Sequence, residues 1–348
     1  MGFLKRLACY AYILCSIFKV YVLAAAYLLK QYTSKIRKPT GIEGSNRGKV
    51  AIVTGGGSGI GYHISKQLAK HGVQVIIGLI AASPKLSESE EAIRKIKHEM
   101  PEAKVEFLHL DLSSLESIRN FVDAFLQKKC PLHILINNAG LMFPPYTKTV
   151  DGFELQLQVN YLGHVLLTSL LWEKLKTTGQ LHSYSRVINV ASSVHYVSDM
   201  PADLDNLNQE QQNFSAHAAY MHSKLAVVMA TYYLQRQLNR DGHYITVNVA
   251  DPGVVSSGLF KYVSGFVKCF LVRPAAALGI LWTMEDGAYT SVHLALSSEV
   301  EGQGGRYFFN CTNAKSSHLS QNVYLQEELW HKTCDVLHLD VNWPSTCT

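Results

Sequence analysis

Lys49-Val50-Ala51-Ile52-Val53-Thr54-Gly55-Gly56-Gly57-Ser58-Gly59-Ile60-Gly61 decides how this chain folds. Lys49 to Val53 is a short apolar run suited to a buried strand, and Tyr62 to Lys70, beyond the glycines, suits a helix. The order is strand, glycine turn, helix. Glycines there permit a tight turn and let the backbone approach a pyrophosphate, which then sits at the positive end of the following helix. The spacing is T-G-x-x-x-G-x-G rather than the G-x-G-x-x-G of many dinucleotide folds.

The same alternation continues outward from this turn. Further strands are expected at Val73 to Leu79, Val105 to Leu110, His133 to Asn137, Arg186 to Ala191, Ile245 to Ala250 and Arg306 to Phe309. Most are short apolar runs, as in a parallel sheet covered on both faces, and right-handed crossovers make such a sheet doubly wound. No Pro/Gly/Ser linker or repeat divides the chain. The expectation is one α/β Rossmann-type domain of about seven strands over 41–341, with a cofactor half at 49–190, a substrate half at 191–310 and a tail at 342–348.

Within that frame, Tyr220 and Lys224 are four residues apart in an apolar stretch, Ala218 to Leu234, that reads as helix. Both side chains then leave one face about one turn apart. A fixed ammonium beside a phenol favours the phenolate, so the pair is able to trade a proton near neutral pH. Ser193 ends the apolar run from Ser185, where a hydroxyl can donate to a carbonyl oxygen. By itself, Y-x-x-x-K also arises as a chance helical pair.

Taken with Asn137-Asn138-Ala139-Gly140, Asn160 and Pro252-Gly253, these motifs resemble the short-chain dehydrogenase/reductase family in order and spacing. The resemblance implies an NAD(P)-dependent alcohol dehydrogenase or carbonyl reductase with catalytic residues Asn160, Ser193, Tyr220 and Lys224. Asn160 would position a water linking Lys224 to solvent. NAD or NADP would be held by Thr54, Gly55, Ser58, Gly59, Ile60, Gly61, Asp111, Leu112, Asn138, Ala139, Gly140, Tyr220, Lys224, Pro252, Gly253, Val255 and Ser257. Ala219 to Ala226, Val159 to His164 and Gly304 to Phe308 are similar to the retinol-dehydrogenase-like branch. Gly242 to Gly253 and Glu301 to Tyr307 resemble those members that interconvert polyprenol with polyprenal and dolichal with dolichol. Retinoid and steroid alcohols stay open as substrates, as does a non-catalytic nucleotide-binding scaffold.

Nucleotide choice is not fixed by the sequence. Gly78-Leu79-Ile80-Ala81 offers neither the carboxylate that accepts from an NAD ribose nor the cation that meets a 2′-phosphate. Lys85 lies a few residues on, and Asp111 also reads as a helix cap before Ser113. Use of both nucleotides is expected.

An apolar and aromatic band, Leu259, Phe260, Tyr262, Val263, Phe266, Val267, Phe270, Leu271 and Val272, is punctuated by Lys261, Lys268 and Arg273. It reads as a lid over an apolar substrate that rests on lipid headgroups, or as an ordinary packed helix.

Leu7 to Leu29 is interrupted by one charge, Lys19, and is long enough to cross a bilayer. A membrane-anchor helix is expected over 1–40, with a cleaved signal peptide or a monotopic hairpin as alternatives. Residues 1–50 carry nine Lys or Arg against Glu43 alone, and Lys30, Lys35, Arg37 and Lys38 after the apolar stretch, against Lys5 and Arg6 before it, favour a cytosolic catalytic domain. The resemblance implies a membrane of the endoplasmic reticulum or lipid droplet and leaves a homo-oligomer open. The basic cluster suits headgroups, and no base-reading motif points to nucleic acid. Seven scattered cysteines give no zinc spacing and suit free thiols in a reducing compartment.

Overall fold

The computed structural model describes residues 2–42, 44, 46–78, 86–199, 207–341 and 343–344. Its centre is a sheet in the order β3-β2-β1-β4-β5-β6-β7-β8. The strands are β1 (Val50–Thr54), β2 (Gln74–Gly78), β3 (Val105–Leu108), β4 (Ile134–Asn137), β5 (Ser185–Val190), β6 (Ile245–Asp251), β7 (Tyr307–Phe309) and β8 (Thr312–Ala314). Neighbours pair in parallel from β3 to β7. The seven expected strands are all present. The eighth, β8, was not expected: it returns antiparallel from β7 through Asn310 and Cys311, both at positive φ.

Period-two alternation fills both faces. Val50 and Ile52 join a core with Phe121, Trp172 and Leu225, whereas Ala51 and Val53 face the opposite core with Ile64, Leu68 and Val292. The first core is covered by α4 (Leu115–Gln127), α6 (Gly163–Leu170) and α8 (Ala216–Asp241), the second by α2 (Gly59–Lys70) and α11 (Met284–Leu296). Strand order reverses between β1 and β4, so the crevice beyond their carboxyl ends lies at the topological switch point.

α1 (Gly2–Thr33) precedes the sheet, and its Arg6–Thr33 stretch is long and apolar enough to cross a membrane by length and composition. It is also docked on the body of the protein. Val20, Tyr27, Leu28 and Gln31 are buried, and Lys19 pairs with Asp199 at 2.8 Å rather than extending alone. Beyond it, Asn310 donates to the carbonyl of Lys35 and accepts from the Arg37 amide, which ties this buried asparagine into the fold.

Candidate active site

The glycine turn is shaped by steric necessity. A Cβ on Gly61 would stand 2.1 Å from the Gly55 carbonyl oxygen, and Gly55 holds φ at 65°. Ser58 caps α2 with extended backbone but no side-chain bond, so the helix's first N–H groups have no side-chain cap. Thr54 turns inward. Its hydroxyl accepts from the amides of Asn138 and Ala139 at 2.9 and 3.0 Å, and Asn138 Nδ2 donates to the Thr54 carbonyl. His164 sits between, with Nδ1 3.2 Å from the Asn160 carbonyl and Nε2 2.9 Å from the Thr54 hydroxyl. Burial holds its pKa down to about 3, so the ring is neutral. A carbonyl only accepts; Nδ1 therefore carries the proton and Thr54 donates to Nε2.

Opposite this turn, α8 starts at the Ser215 cap and carries Tyr220 and Lys224, both buried, on one face. Lys224 Nζ donates to the Val190 carbonyl at 2.9 Å and lies 5.9 Å from the Tyr220 ring centroid. Burial lowers the Lys224 pKa to about 8, against an opposing pull from Asp251. Burial raises the Tyr220 pKa, while the Ser192 hydroxyl is the side-chain partner that favours the phenolate. Asn160 lies in a π turn, Gln158–Leu162, a distortion that recurs at functional sites. Its amide accepts from the Leu141 N–H and donates to the Leu141 carbonyl and to Ser223 Oγ. Asn160 Oδ1 and Lys224 Nζ approach the same point beside Gly140, 3.3 and 3.5 Å from where a Cβ there would be.

These groups surround a cavity of about 620 Å³. Its lining joins the glycine turn with Ser58, Gly59 and Ile60, the Tyr220, Lys224 and Ser193 side chains, Pro252 to Val255, and apolar residues of α1 and of the 258–277 segment. The donor set suits a dinucleotide: a bare-backbone turn at a helix N-terminus, then a titratable pair beside a small-residue floor. In the 258–277 segment, Val263, Val267 and Leu271 line the cavity at four-residue spacing, whereas Phe266 and Phe270 point outward and pack on each other at 4.6 Å.

Known proteins share this arrangement. Residues 49–201 match the short chain dehydrogenase family model. Over 322 residues the chain is 44% identical to the polyprenol dehydrogenase of Homo sapiens, covering 91% of this chain and 94% of that one. It is 39% identical to the retinol dehydrogenase 12 of Homo sapiens over 291 residues, 83% and 86% of the two chains. The chain belongs to the short-chain dehydrogenase/reductase family. The fold is also that of the Pseudomonas aeruginosa RhlG/NADP active-site complex, at a TM-score of 0.59 and 24% identity over 76% of this chain and 95% of that one. This short-chain dehydrogenase/reductase is an NAD(P)-dependent oxidoreductase.

In this dehydrogenase, Gly55, Ser58, Gly59, Ile60, Gly61, Asn138, Ala139, Gly140, Ser193, Tyr220, Lys224, Pro252, Gly253, Val255 and Ser257 all line the cavity. Thr54, Asn160, Asp111 and Leu112 do not. Thr54 and Asn160 stand directly behind its wall, holding it through the bonds above. Leu112 is wholly buried in the core, and the Asp111 carboxylate is engaged by Ser113 through its N–H and Oγ at 2.7 and 2.6 Å. Leu79 to Ala81 and Lys85, on which nucleotide choice turns, lie outside the described residues.

Four participants escaped the sequence reading. Ser192 precedes Ser193, and two adjacent hydroxyls at a strand end do not reveal which meets the phenol. Asp251, fully buried, accepts from Tyr307 and from the Gly253 amide, and burial raises its pKa. Its signal was a carboxylate directly after Val249 and Ala250, at the end of a strand pattern. Gln31 and Ala24 belong to a helix read as a separate anchor, yet Ala24 lines the cavity and Gln31 binds Val254.

Proposed function

We propose that this dehydrogenase interconverts a long-chain isoprenoid alcohol and its carbonyl form at a membrane: polyprenol with polyprenal and dolichal with dolichol, as in dolichol synthesis. The observation that carries the reading is the cavity, whose lining joins the titratable pair to apolar side chains of α1 and of the 258–277 segment. A small polar alcohol needs no such apolar lining, whereas a lipid chain is suited to it. The similarity to a polyprenol dehydrogenase supports the same substrate class.

Residues 41–341 act as one catalytic domain in this reading, with nucleotide held over 49–190, substrate over 191–310, residues 1–40 at the membrane and 342–348 as a tail. Membrane placement is that of the endoplasmic reticulum or lipid droplet, with the catalytic domain in the cytosol.

When bound, the nicotinamide accepts or supplies hydride. Tyr220 takes the alcohol proton in oxidation and returns it in reduction. Ser193 donates to the oxygen as carbonyl character changes, and Ser192 holds the phenol. Lys224, fixed on Val190, favours the phenolate while charged. Asn160, held by Leu141 and Ser223, sits with Lys224 beside Gly140, where protons pass outward. The start of α2, which has no side-chain cap, would hold the pyrophosphate.

Membranes bearing the protein, incubated with polyprenol, dolichal, retinol and a steroid alcohol, each with NAD and NADP, test this. The expected result is fastest turnover of the polyprenol and dolichal pair. Faster retinol oxidation would favour the second reading, which the likeness to retinol dehydrogenase 12 supports.

A further inference from the structure

The polarity of α1 is reversed relative to a surface helix in water. Tyr12, Ser16 and Lys19, and two turns further on Tyr27 and Gln31, share one side of the helix and face the enzyme. Leu7, Leu14, Phe18, Val22 and Leu29 lie on the opposite side and are more than half exposed. A helix that turns Tyr12, Lys19 and Gln31 onto partners on the protein while leaving large apolar side chains exposed on its opposite side suits lipid on that free face.

The contacts run along most of the helix. Tyr12 Oη lies 3.4 Å from His222 Nε2, Lys19 Nζ 2.8 Å from Asp199, and the Tyr21 ring meets His217 edge-on at 5.5 Å. Val20 packs in one cluster with Tyr220, Met221 and Val263, so anchor, catalytic helix and lid share a small core. Further along, Tyr27 meets Phe309, and Gln31 binds both polar atoms of Val254. Nineteen residues separate Tyr12 from Gln31, which is about 28 Å of helix at 1.5 Å per residue. That is nearly the hydrocarbon thickness of a bilayer, about 30 Å. A helix flanked over this length by a folded α/β domain cannot also run through the hydrocarbon core at right angles to the surface.

Gln31 makes this docking a matter for the active site. Its Nε2 donates to the Val254 carbonyl at 3.1 Å, and its Oε1 accepts from the Val254 amide. Val254 follows Pro252 and Gly253 in the cavity wall. Gly253 leaves the space: a Cβ there would stand 2.8 Å from Gln31 Oε1.

We propose that α1 does not cross the membrane but lies in one leaflet as a fixed wall of the active site, with Gln31 as a positioning residue for the Val254 loop. Phe266 and Phe270, exposed on the segment whose Val263, Val267 and Leu271 line the cavity, add a second lipid-facing surface, so substrate reaches Tyr220 sideways from the leaflet. Exposed Lys35, Lys261 and Arg273, in or next to these two segments, match anionic headgroups. This inference rests on the cavity being the catalytic site.

The test uses the full chain in phosphatidylcholine/phosphatidylserine vesicles and three readings. Zero-length carbodiimide coupling should join the Lys19 peptide to the Asp199 peptide. Tryptophans introduced one at a time by Leu7→Trp, Phe18→Trp and Leu29→Trp should be quenched equally by brominated lipid. Gln31→Met should lower kcat/KM for a short water-soluble alcohol about tenfold, the size expected for two lost hydrogen bonds, with nucleotide affinity and unfolding temperature kept. Gln31→Glu, which keeps the acceptor, should fall between. A missing cross-link, or quenching deepest at Phe18 and shallow at both ends, would show a helix that crosses the bilayer. Wild-type kinetics in Gln31→Met would remove the positioning role. Should the wild type oxidise no alcohol at all, the functional reading fails while cross-link and quenching still report on α1.

Discussion

Lys224 donates from its ammonium to the carbonyl of Val190 at 2.9 Å, joining the helix that carries Tyr220 to the strand that leads into Ser192 and Ser193. One hydrogen bond therefore ties the helix that carries the phenol to the strand end that carries both serines. It also holds the ammonium where burial brings its pKa to about 8.

That value gives the pH dependence a sign. Below about pH 8 both the phenol and the ammonium hold protons, and the pair is set to reduce a carbonyl. Above it one proton has left the pair, which can then take a proton from an alcohol. Alcohol oxidation should rise and carbonyl reduction should fall through a shared apparent pKa near 8. Initial rates in both directions from pH 6 to about pH 10 check this, and a flat profile would contradict it. Lys224→Met should displace the oxidative limb upward, because the phenolate loses its counter-charge.

Ser193 and Ser192 should separate kinetically. Ser193→Ala removes the donor to the reacting oxygen, and kcat should drop by about 10²- to 10³-fold. Ser192→Ala removes a partner of the phenol instead, so its larger effect should be an upward shift of the oxidative pKa. Identical pH profiles in the two variants would count against this division.

Gly61→Ala should abolish nucleotide binding. A Cβ 2.1 Å from the Gly55 oxygen forces the turn open, where no rotamer can relieve the contact. Fluorescence titration with NADH and NADPH reads the loss directly. Retained micromolar affinity, on the order of that of ordinary dehydrogenase sites, would show that the turn is not the pyrophosphate cradle.

The two faces of the lid segment should behave differently. Val267→Ser with Leu271→Ser alters the cavity lining and should weaken polyprenol turnover in detergent far more than that of a short alcohol. Phe266→Ser with Phe270→Ser alters only the outer face and should leave detergent activity intact while reducing sedimentation with vesicles. Equal losses on both substrates from the first pair would refute a lid.

Much of this was legible in the sequence because it is local. Lys49 to Gly61 encodes strand, turn and helix start within thirteen residues, and Tyr220 and Lys224 share a face through helical period alone. β8 was missed because three residues, Thr312–Ala314, carry no periodic signal, and the turn before it relies on non-glycine residues at positive φ. Ser192 escaped because pairing with the phenol depends on how β5 meets α8, a tertiary fact. The docking of α1 escaped for the same reason. Hydropathy reports that a helix is apolar, but not that its few polar residues lie on one face with Asp199, His222 and Val254 waiting opposite.

The central claim is that the phenol of Tyr220 moves the proton. Purified Tyr220→Phe protein, assayed with polyprenol after its NADPH affinity has been shown equal to wild type, tests it most directly. The account predicts intact nucleotide binding with turnover reduced by about 10²- to 10⁴-fold, the range for removing a general acid–base group. Turnover within a few-fold of wild type would contradict it and place the base elsewhere.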